Sequence, residues 1–138
     1  MQYLLDTNVI SETHKRLPNR KVDQWLGAQS TLDLWLSVLT LGELTMGVEL
    51  AIAGRRDELR RWVAQDLERV FVGRLLTVDD ATAREWGRMS AEGRSAGREL
   101  PTIDGLLLAT AKVHDFIFVT RNESDCADRG VTIVNPWA

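Results

Sequence analysis

The sequence predicts a three-layer α/β protein in which a parallel β-sheet is flanked by helices. Short apolar runs alternate along the chain with longer segments whose apolar residues recur at helical spacing. The clearest runs, Leu4-Leu5 and Phe116–Val119, lack polar alternation, which is typical of strands buried on both faces. Strands that are separated by helices pair in parallel, with right-handed crossovers.

The first half of the chain is predicted to contain two strands and three helices. Their order is strand Gln2–Leu5, helix Thr7–Thr13, helix Arg20–Leu26, strand Leu34–Ser37 and helix Thr40–Ala53. We expect Asn19 to cap the second helix and Gly27 to follow its end. Thr40 and Glu43 have the spacing of a capping box, and Gly54 is expected to end the third helix.

The second half is predicted to continue the alternation with three further strands. Its first helix has an apolar face formed by Leu59, Trp62, Val63, Leu67, Val70 and Phe71. The elements that follow are strand Leu75–Val78, a helix capped by Asp79, helix Ile103–His114, strand Phe116–Thr120, a polar loop Arg121–Gly130 and strand Val131–Val134. The charged, glycine-containing stretch from Glu92 to Leu100 is expected to fray or to turn.

Composition narrows the possible classes of protein. The 138 residues are 44% hydrophobic and 27% charged, which is typical of one globular domain and predicts a single domain over residues 1–138. One cysteine and two histidines argue against a disulfide framework and against a zinc site. The net charge of −3 argues against nucleic-acid binding through bulk positive charge. Without a basic leader or a membrane-length apolar run, we expect a cytoplasmic protein with no membrane contact.

Four carboxylates follow predicted strands or begin predicted helices. Asp6 follows the first strand, and Glu43 begins the helix after the second. Asp104 lies in the first turn of its helix, and Asp125 lies in the polar loop. Because such sheets bind ligands beyond the carboxyl ends of their strands, we expect the four to converge on one edge. Each acid also has a structural interpretation: Asp6 as a helix cap, Glu43 as the capping-box partner, Asp104 as a helix-dipole acid and Asp125 as a solvated loop residue.

The chemistry of this predicted cluster favours a divalent cation. The cluster offers carboxylate oxygens without histidine or cysteine, and clustered acids repel unless a cation neutralises them. Oxygen-rich sites of this kind suit Mg²⁺ or Mn²⁺, which supports hydrolysis by an activated water molecule. The sequence therefore indicates phosphodiester hydrolysis that needs no side-chain nucleophile and no organic cofactor.

Five segments, in order and covering nearly the whole chain, resemble the PIN-domain ribonucleases, especially the VapC and FitB-like toxins of bacterial toxin–antitoxin modules. The segments are Leu5–Glu12 (LDTNVISE), Ser37–Leu44 (SVLTLGEL), Asp104–Ala111 (DGLLLATA), Thr120–Asn122 (TRN) and Asn135–Trp137 (NPW). The resemblance implies a PIN fold with a parallel sheet of about five strands. It also implies an endoribonuclease that depends on Mg²⁺ or Mn²⁺.

By this resemblance Asp6, Glu43 and Asp104 are the three core acids. Asp6 and Asp104 are the expected metal ligands, and Glu43 either binds metal or accepts a proton from the attacking water. Asp125 is expected to be the fourth acid, binding a second ion or acting through water, although many relatives place an aspartate at the position of Asn122.

Other positions are expected to support these acids. Asp128 is a weaker substitute for Asp125 as the fourth acid. The side chains expected to shape the pocket through hydrogen bonds are Thr7, Asn8, Thr120 and Asn122. Arg121 could contact an RNA phosphate or form a salt bridge with a nearby acid.

The resemblance further implies an RNA substrate, a cognate VapB- or FitA-like antitoxin and a homodimer. Single-stranded RNA loops are the natural target. Candidate docking residues for the antitoxin are Leu41, Leu44, Met46, Val48 and Leu50, although ordinary core packing explains most of them. Two other functions stay open: a non-catalytic PIN-fold protein that binds RNA or an antitoxin, and another carboxylate-metal phosphohydrolase. The phosphatase pattern requires an aspartate where this chain has Asn8, and the receiver pattern requires a lysine where it has Arg121. Both differences count against another carboxylate-metal phosphohydrolase.

Overall fold

In the computed structural model, which describes residues 1–138, five parallel strands form one sheet. The strands are β1 Tyr3–Leu5, β2 Leu34–Ser37, β3 Leu75–Leu76, β4 Ile117–Val119 and β5 Ile133–Val134. Their spatial order is β3-β2-β1-β4-β5, and every neighbouring pair is parallel. The chain therefore winds outward from β1 in one direction and then returns to its other side, which creates a topological switch point between β1 and β4.

Helices connect successive strands and cover both faces of the sheet. They are α1 Thr7–Thr13, α2 Arg20–Ala28, α3 Val38–Glu49, α4 Ala53–Arg61, α5 Leu67–Val70, α6 Asp80–Ser95, α7 Thr102–His114 and α8 Glu123–Cys126. A π-helical turn, Trp62–Asp66, joins α4 to α5, and a 3₁₀ turn, Thr31–Asp33, precedes β2. None of these helices has the length and apolar character required to span a membrane.

Two apolar clusters lie on the two faces of the sheet. Leu5 of β1 and Val119 of β4 belong to one cluster, with side chains from α1, α3 and α5. Their neighbours Leu4 and Phe118 belong to the other, which includes residues of α6 and α7. Successive strand residues point to opposite faces. The central strands are therefore buried on both sides, as the unbroken apolar runs predict.

The predicted start of α3 is wrong by two residues. Ser37, the last residue of β2, accepts a hydrogen bond from the amide of Leu39 at 3.0 Å and caps the helix. Thr40 therefore lies inside α3, and the predicted capping box does not form. Serine is a preferred cap, and here it takes that position before the chain reaches Thr40. As a result, Glu43 lies in the second turn of the helix rather than the first.

Several predicted boundaries differ from the structure. The helix predicted to run to Ala53 ends at Glu49, and Gly54 lies in the first turn of α4. The amphipathic stretch to Phe71 is broken by the π-helical turn. By contrast, α6 continues to Ser95 and ends before Gly97, which adopts a positive φ of 68°. The polar loop contains α8, and β3 and β5 are each two residues long.

Candidate active site

Asp6 lies at the switch point between β1 and β4. Its amide donates to the carbonyl of Val119 at 2.9 Å, which continues the pairing of the two strands. Its Oδ1 accepts a hydrogen bond from the amide of Thr7 at 2.7 Å, and Oδ2 accepts one from the Thr120 hydroxyl at 2.7 Å. Asp6 is only 6% exposed. It therefore caps α1, as its structural interpretation expects, while its position also places it at the site.

Glu43 is brought to the same place by α3. Its Oε1 accepts a hydrogen bond from the Thr7 hydroxyl at 2.6 Å, and that hydroxyl lies 3.1 Å from the Thr40 hydroxyl. Thr7 thus follows Asp6 in the sequence and donates a hydrogen bond to Glu43.

Asp104 approaches from α7, in the first turn of the helix after Pro101. Close packing fixes the start of this helix, since a Cβ on Gly105 would lie 3.1 Å from the indole nitrogen of Trp86. Asp104 is half-buried and has no cationic partner. Together with Asp6 and Glu43 it lines one pocket of about 390 Å³. The full lining is Asp6, Thr7, Asn8, Ser11, Glu12, Lys15, Glu43, Asp104, Arg121, Asn122 and Trp137.

The electrostatics of this pocket disfavour the ionised forms of Asp6 and Asp104 in the protein alone. Burial is the main cause that raises the pKa of Asp6 from 3.8 to about 6, and the charges of Asp104 and Glu43 raise it further. The hydrogen bonds from Thr120 and Thr7 act in the opposite direction. Burial, and then the charges of Glu43 and Asp125, also raise the pKa of Asp104.

No basic side chain forms an ion pair with these acids. The ion pairs of the molecule involve other residues, and none includes Asp6, Glu43, Asp104 or Asp125. The pocket therefore concentrates negative charge that the protein leaves unpaired, which is the electrostatic condition for capturing a cation.

The donor set fits a hard divalent cation that keeps part of its water shell. No three acidic, histidine or cysteine side chains stand close enough to enclose an ion by themselves. Mg²⁺ commonly binds through one or two carboxylates and retains several waters, so it does not require such a cage. The nearby thiol of Cys126 is buried and its pKa is raised to about 11, so it does not offer a thiolate.

Asp125 lies at the margin of the site rather than inside it. It is exposed on α8 and does not line the acid pocket, although its charge raises the pKa of Asp104. Two arginines hold its loop: Arg129 Nε donates to the carbonyl of Asp125 at 2.8 Å, and Arg98 donates to the carbonyls of Ser124, Asp125 and Ala127. Asp128 lines a separate cavity beside α6.

The expected supporting residues gather around the acids. Thr120 is buried and orients Asp6, and its hydroxyl accepts a hydrogen bond from the amide of Asn122 at 3.0 Å. Asn8 Oδ1 accepts one from the amide of Arg121 at 3.4 Å. Arg121 forms no salt bridge with an acid; its guanidinium carbon lies 5.2 Å from the centre of the Trp137 ring.

Four lining residues were not predicted to belong to the site: Ser11, Glu12, Lys15 and Trp137. For two of them a signal existed, because Ser11 and Glu12 lie four residues after Thr7 and Asn8 on α1, and residues at that spacing share one face of a helix. Lys15 lies in the turn beyond this helix, where helical spacing gives no such signal. Trp137 belongs to the Asn135–Trp137 segment of the family resemblance, but its place beside Arg121 could not be predicted, because only the folded chain brings the C-terminal segment to the pocket.

Comparison with known proteins identifies the family of the chain. The model of the PIN domain family matches residues 3–128. The chain belongs to the PIN domain family. Toxin FitB of Neisseria gonorrhoeae is 35% identical over 97% of each chain. VapC ribonuclease Y4jK of Sinorhizobium fredii is also 35% identical, over 97% of this PIN domain and 96% of the relative. The crystal structure of FitAcB from N. gonorrhoeae superposes with a TM-score of 0.93 at 34% identity and covers 99% of both chains.

Proposed function

We propose that this PIN domain is an Mg²⁺- or Mn²⁺-dependent endoribonuclease and the toxin component of a toxin–antitoxin module. One observation carries the catalytic part: carboxylates from three separate elements line one pocket without a cationic partner. The names of the relatives, a toxin and a ribonuclease, support the biological part.

Each acid has a role that its surroundings favour. Asp6 and Asp104 are the proposed metal ligands, since their raised pKa values report negative charge that a cation would stabilise. When bound, the ion supplies charge neutralisation at the phosphate and lowers the pKa of water. Glu43 keeps one carboxylate oxygen outside its bond to Thr7, and that oxygen is available to bind the ion or to accept a proton.

The remaining residues orient these acids. Thr120 fixes one oxygen of Asp6 and leaves the carboxylate in a single orientation, while the amide of Thr7 fixes the other. Asp125, at the margin, is proposed to act on a second ion or through water. No side-chain nucleophile is required, because the attacking group is water.

A single-stranded RNA segment is the proposed substrate. The pocket lies beyond the carboxyl ends of β1 and β4. An unpaired RNA strand exposes its phosphates and could place one of them in this pocket. The overall charge of −3 means that local groups at the pocket, rather than the whole surface, must provide attraction for RNA.

A cognate antitoxin is the proposed protein partner, and a homodimer the proposed assembly. Beside the acids, a groove between α1, α3 and α4 shares Thr7 and Glu43 with the pocket. Leu44 and Val48 line it but belong to the buried core, whereas Met46 and Leu50 are exposed. An antitoxin segment in this groove would reach the acids directly.

Cleavage of a fluorescent single-stranded RNA tests the proposal. We expect activity with Mg²⁺ or Mn²⁺, loss with EDTA, and loss of at least about a hundredfold in Asp6→Asn, since general acid–base and metal groups each contribute about that much or more. Asp80→Asn, which changes an exposed acid on α6, is the matched control and should retain activity. Activity that persists in Asp6→Asn and in EDTA would reject the metal mechanism.

A further inference from the structure

We propose that Lys15 and Arg121 form a phosphate-binding subsite, beside the acids in the same pocket, that holds a second phosphate of the same RNA strand. The subsite deepens the proposed ribonuclease function and rests on it. Glu12 and Trp137 are proposed as positioning residues that hold the two cations at the pocket.

The pocket has two ends of opposite character. Asp6, Glu43 and Asp104 form the anionic end. Lys15 and Arg121 line the same pocket and group around Glu12, which pairs with Lys15 and whose pKa is lowered by the charges of both cations. Lys15 lies in the turn that follows α1, and Arg121 follows Thr120 beyond the end of β4.

Glu12 fixes Lys15 at this second end. Glu12 is only 5% exposed, and its Oε1 lies 2.9 Å from the ammonium nitrogen of Lys15. Its Oε2 accepts a hydrogen bond from the amide of Asn19 at 2.9 Å, so both oxygens are already engaged. Because one carboxylate faces two cations, this end of the pocket retains a positive charge.

Arg121 completes the subsite from the end of β4. Its guanidinium lies over the ring of Trp137 and forms no salt bridge, so its N–H groups can contact an anion. The backbone of Arg121 is tied to Asn8 of α1, which limits how far the side chain can move from the pocket. A planar guanidinium held on an aromatic ring suits bidentate contact with a phosphate.

The arrangement predicts how RNA lies on the protein. A phosphate at the acid end requires a cation to be bound, whereas a phosphate at the Lys15–Arg121 end does not. A strand spanning both ends would place its cleaved bond at the acids and a flanking phosphate on the two basic side chains. These side chains therefore contribute to binding more than to the chemical step.

Salt dependence of RNA binding tests the subsite. Each phosphate contact to a single strand contributes about −0.7 to the slope of log K against log salt. Measured by fluorescence anisotropy in the inactive Asp6→Asn background, Lys15→Gln and Arg121→Gln should each make the slope shallower by about 0.7. Arg84→Gln removes an exposed arginine that pairs with Asp80 on α6, and it should leave the slope unchanged.

A second pair of measurements separates charge from geometry. Arg121→Lys keeps the charge but loses the planar fork, so it should keep the slope while weakening binding severalfold. In the otherwise wild-type enzyme, Lys15→Gln should raise KM severalfold and leave kcat within about twofold. If the Lys15 and Arg121 variants have the same slopes and KM values as their parent proteins, the proposed subsite is wrong. The ribonuclease function would still be supported if the wild type cleaves RNA with Mg²⁺. A wild-type protein that does not cleave RNA at all would instead overturn the proposed function.

Discussion

Replacing Asp6 by asparagine should stabilise the metal-free protein while it abolishes cleavage. The folded protein holds the pKa of Asp6 at about 6, against 3.8 for an exposed aspartate. A rise of about two in pKa corresponds to about 3 kcal/mol of stability that is lost when the carboxyl ionises. Asparagine has nearly the same shape and carries no charge, so it avoids this cost.

The difference in free energy of unfolding between the wild type and Asp6→Asn should depend on pH. Below about pH 4 Asp6 is protonated in both the folded and the unfolded state, and the two proteins should be similarly stable. Between about pH 4 and pH 6 only the unfolded state releases its proton, so the wild-type free energy of unfolding falls relative to Asp6→Asn. Above about pH 6 the difference should level off near 3 kcal/mol, a large share of the 5–15 kcal/mol typical of a domain.

Urea denaturation in EDTA, followed by circular dichroism from pH 4 to pH 8, measures this difference. The local hydrogen bonds permit the replacement, because the amide oxygen can accept from Thr7 and the amide NH₂ can donate to the Thr120 hydroxyl. A variant that is less stable than the wild type at pH 8, or a difference that does not change with pH, would refute the assignment of buried, uncompensated charge to Asp6.

We expect three further outcomes, two at Asp6 and one in the packing of α6. Millimolar Mg²⁺ should raise the Tm of the wild type at pH 8 but not that of Asp6→Asn in thermal-shift measurements, and equal shifts in both would argue against this acid as a ligand. Thr120→Val removes a hydrogen bond that lowers the pKa of Asp6, so the acidic limb of the pH–rate profile should move to higher pH; an unmoved limb would contradict this. Gly93→Ala should destabilise the protein in urea denaturation, because the added Cβ would lie 2.9 Å from the carbonyl oxygen of Arg98. Gly87→Ala has open space around the added Cβ and should stabilise α6 by about 0.5–1 kcal/mol. Equal effects of the two substitutions on the free energy of unfolding would show that packing at Gly93 is not the cause.

The sequence could predict the sheet and the three acids because both depend on local patterns. Apolar runs without alternation identify strands buried on both faces, and the carboxyl ends of such strands meet at one edge. Asp6 and Asp104 were therefore expected near each other, and they do line one pocket. The start of α3 was not predictable in the same way, since Ser37 and Thr40 are both good caps and only the end of β2 decides between them.

The part of the pocket lined by Lys15 and Arg121 could not be predicted in this way, because contacts between distant segments of the chain form it. Nothing in the local sequence near Trp137 indicates that its ring meets Arg121, and nothing near Glu12 indicates that its carboxylate is buried. Pairings between chain segments that are far apart in sequence are fixed by topology, in this case by the position of β4 beside β1 and β5.

Burial of Asp6 links the fold to the proposed chemistry. The switch point places this acid between two central strands, where its backbone must pair with β4 and its side chain must cap α1. The same placement removes the carboxylate from water and raises its pKa to about 6. The metal-free fold therefore carries a destabilising charge at pH 7, and a divalent cation that bound the folded state alone would relieve it. With Asp6 as the proposed metal ligand, metal affinity and the stability deficit of the free protein would have one origin, and Asp6→Asn should remove both.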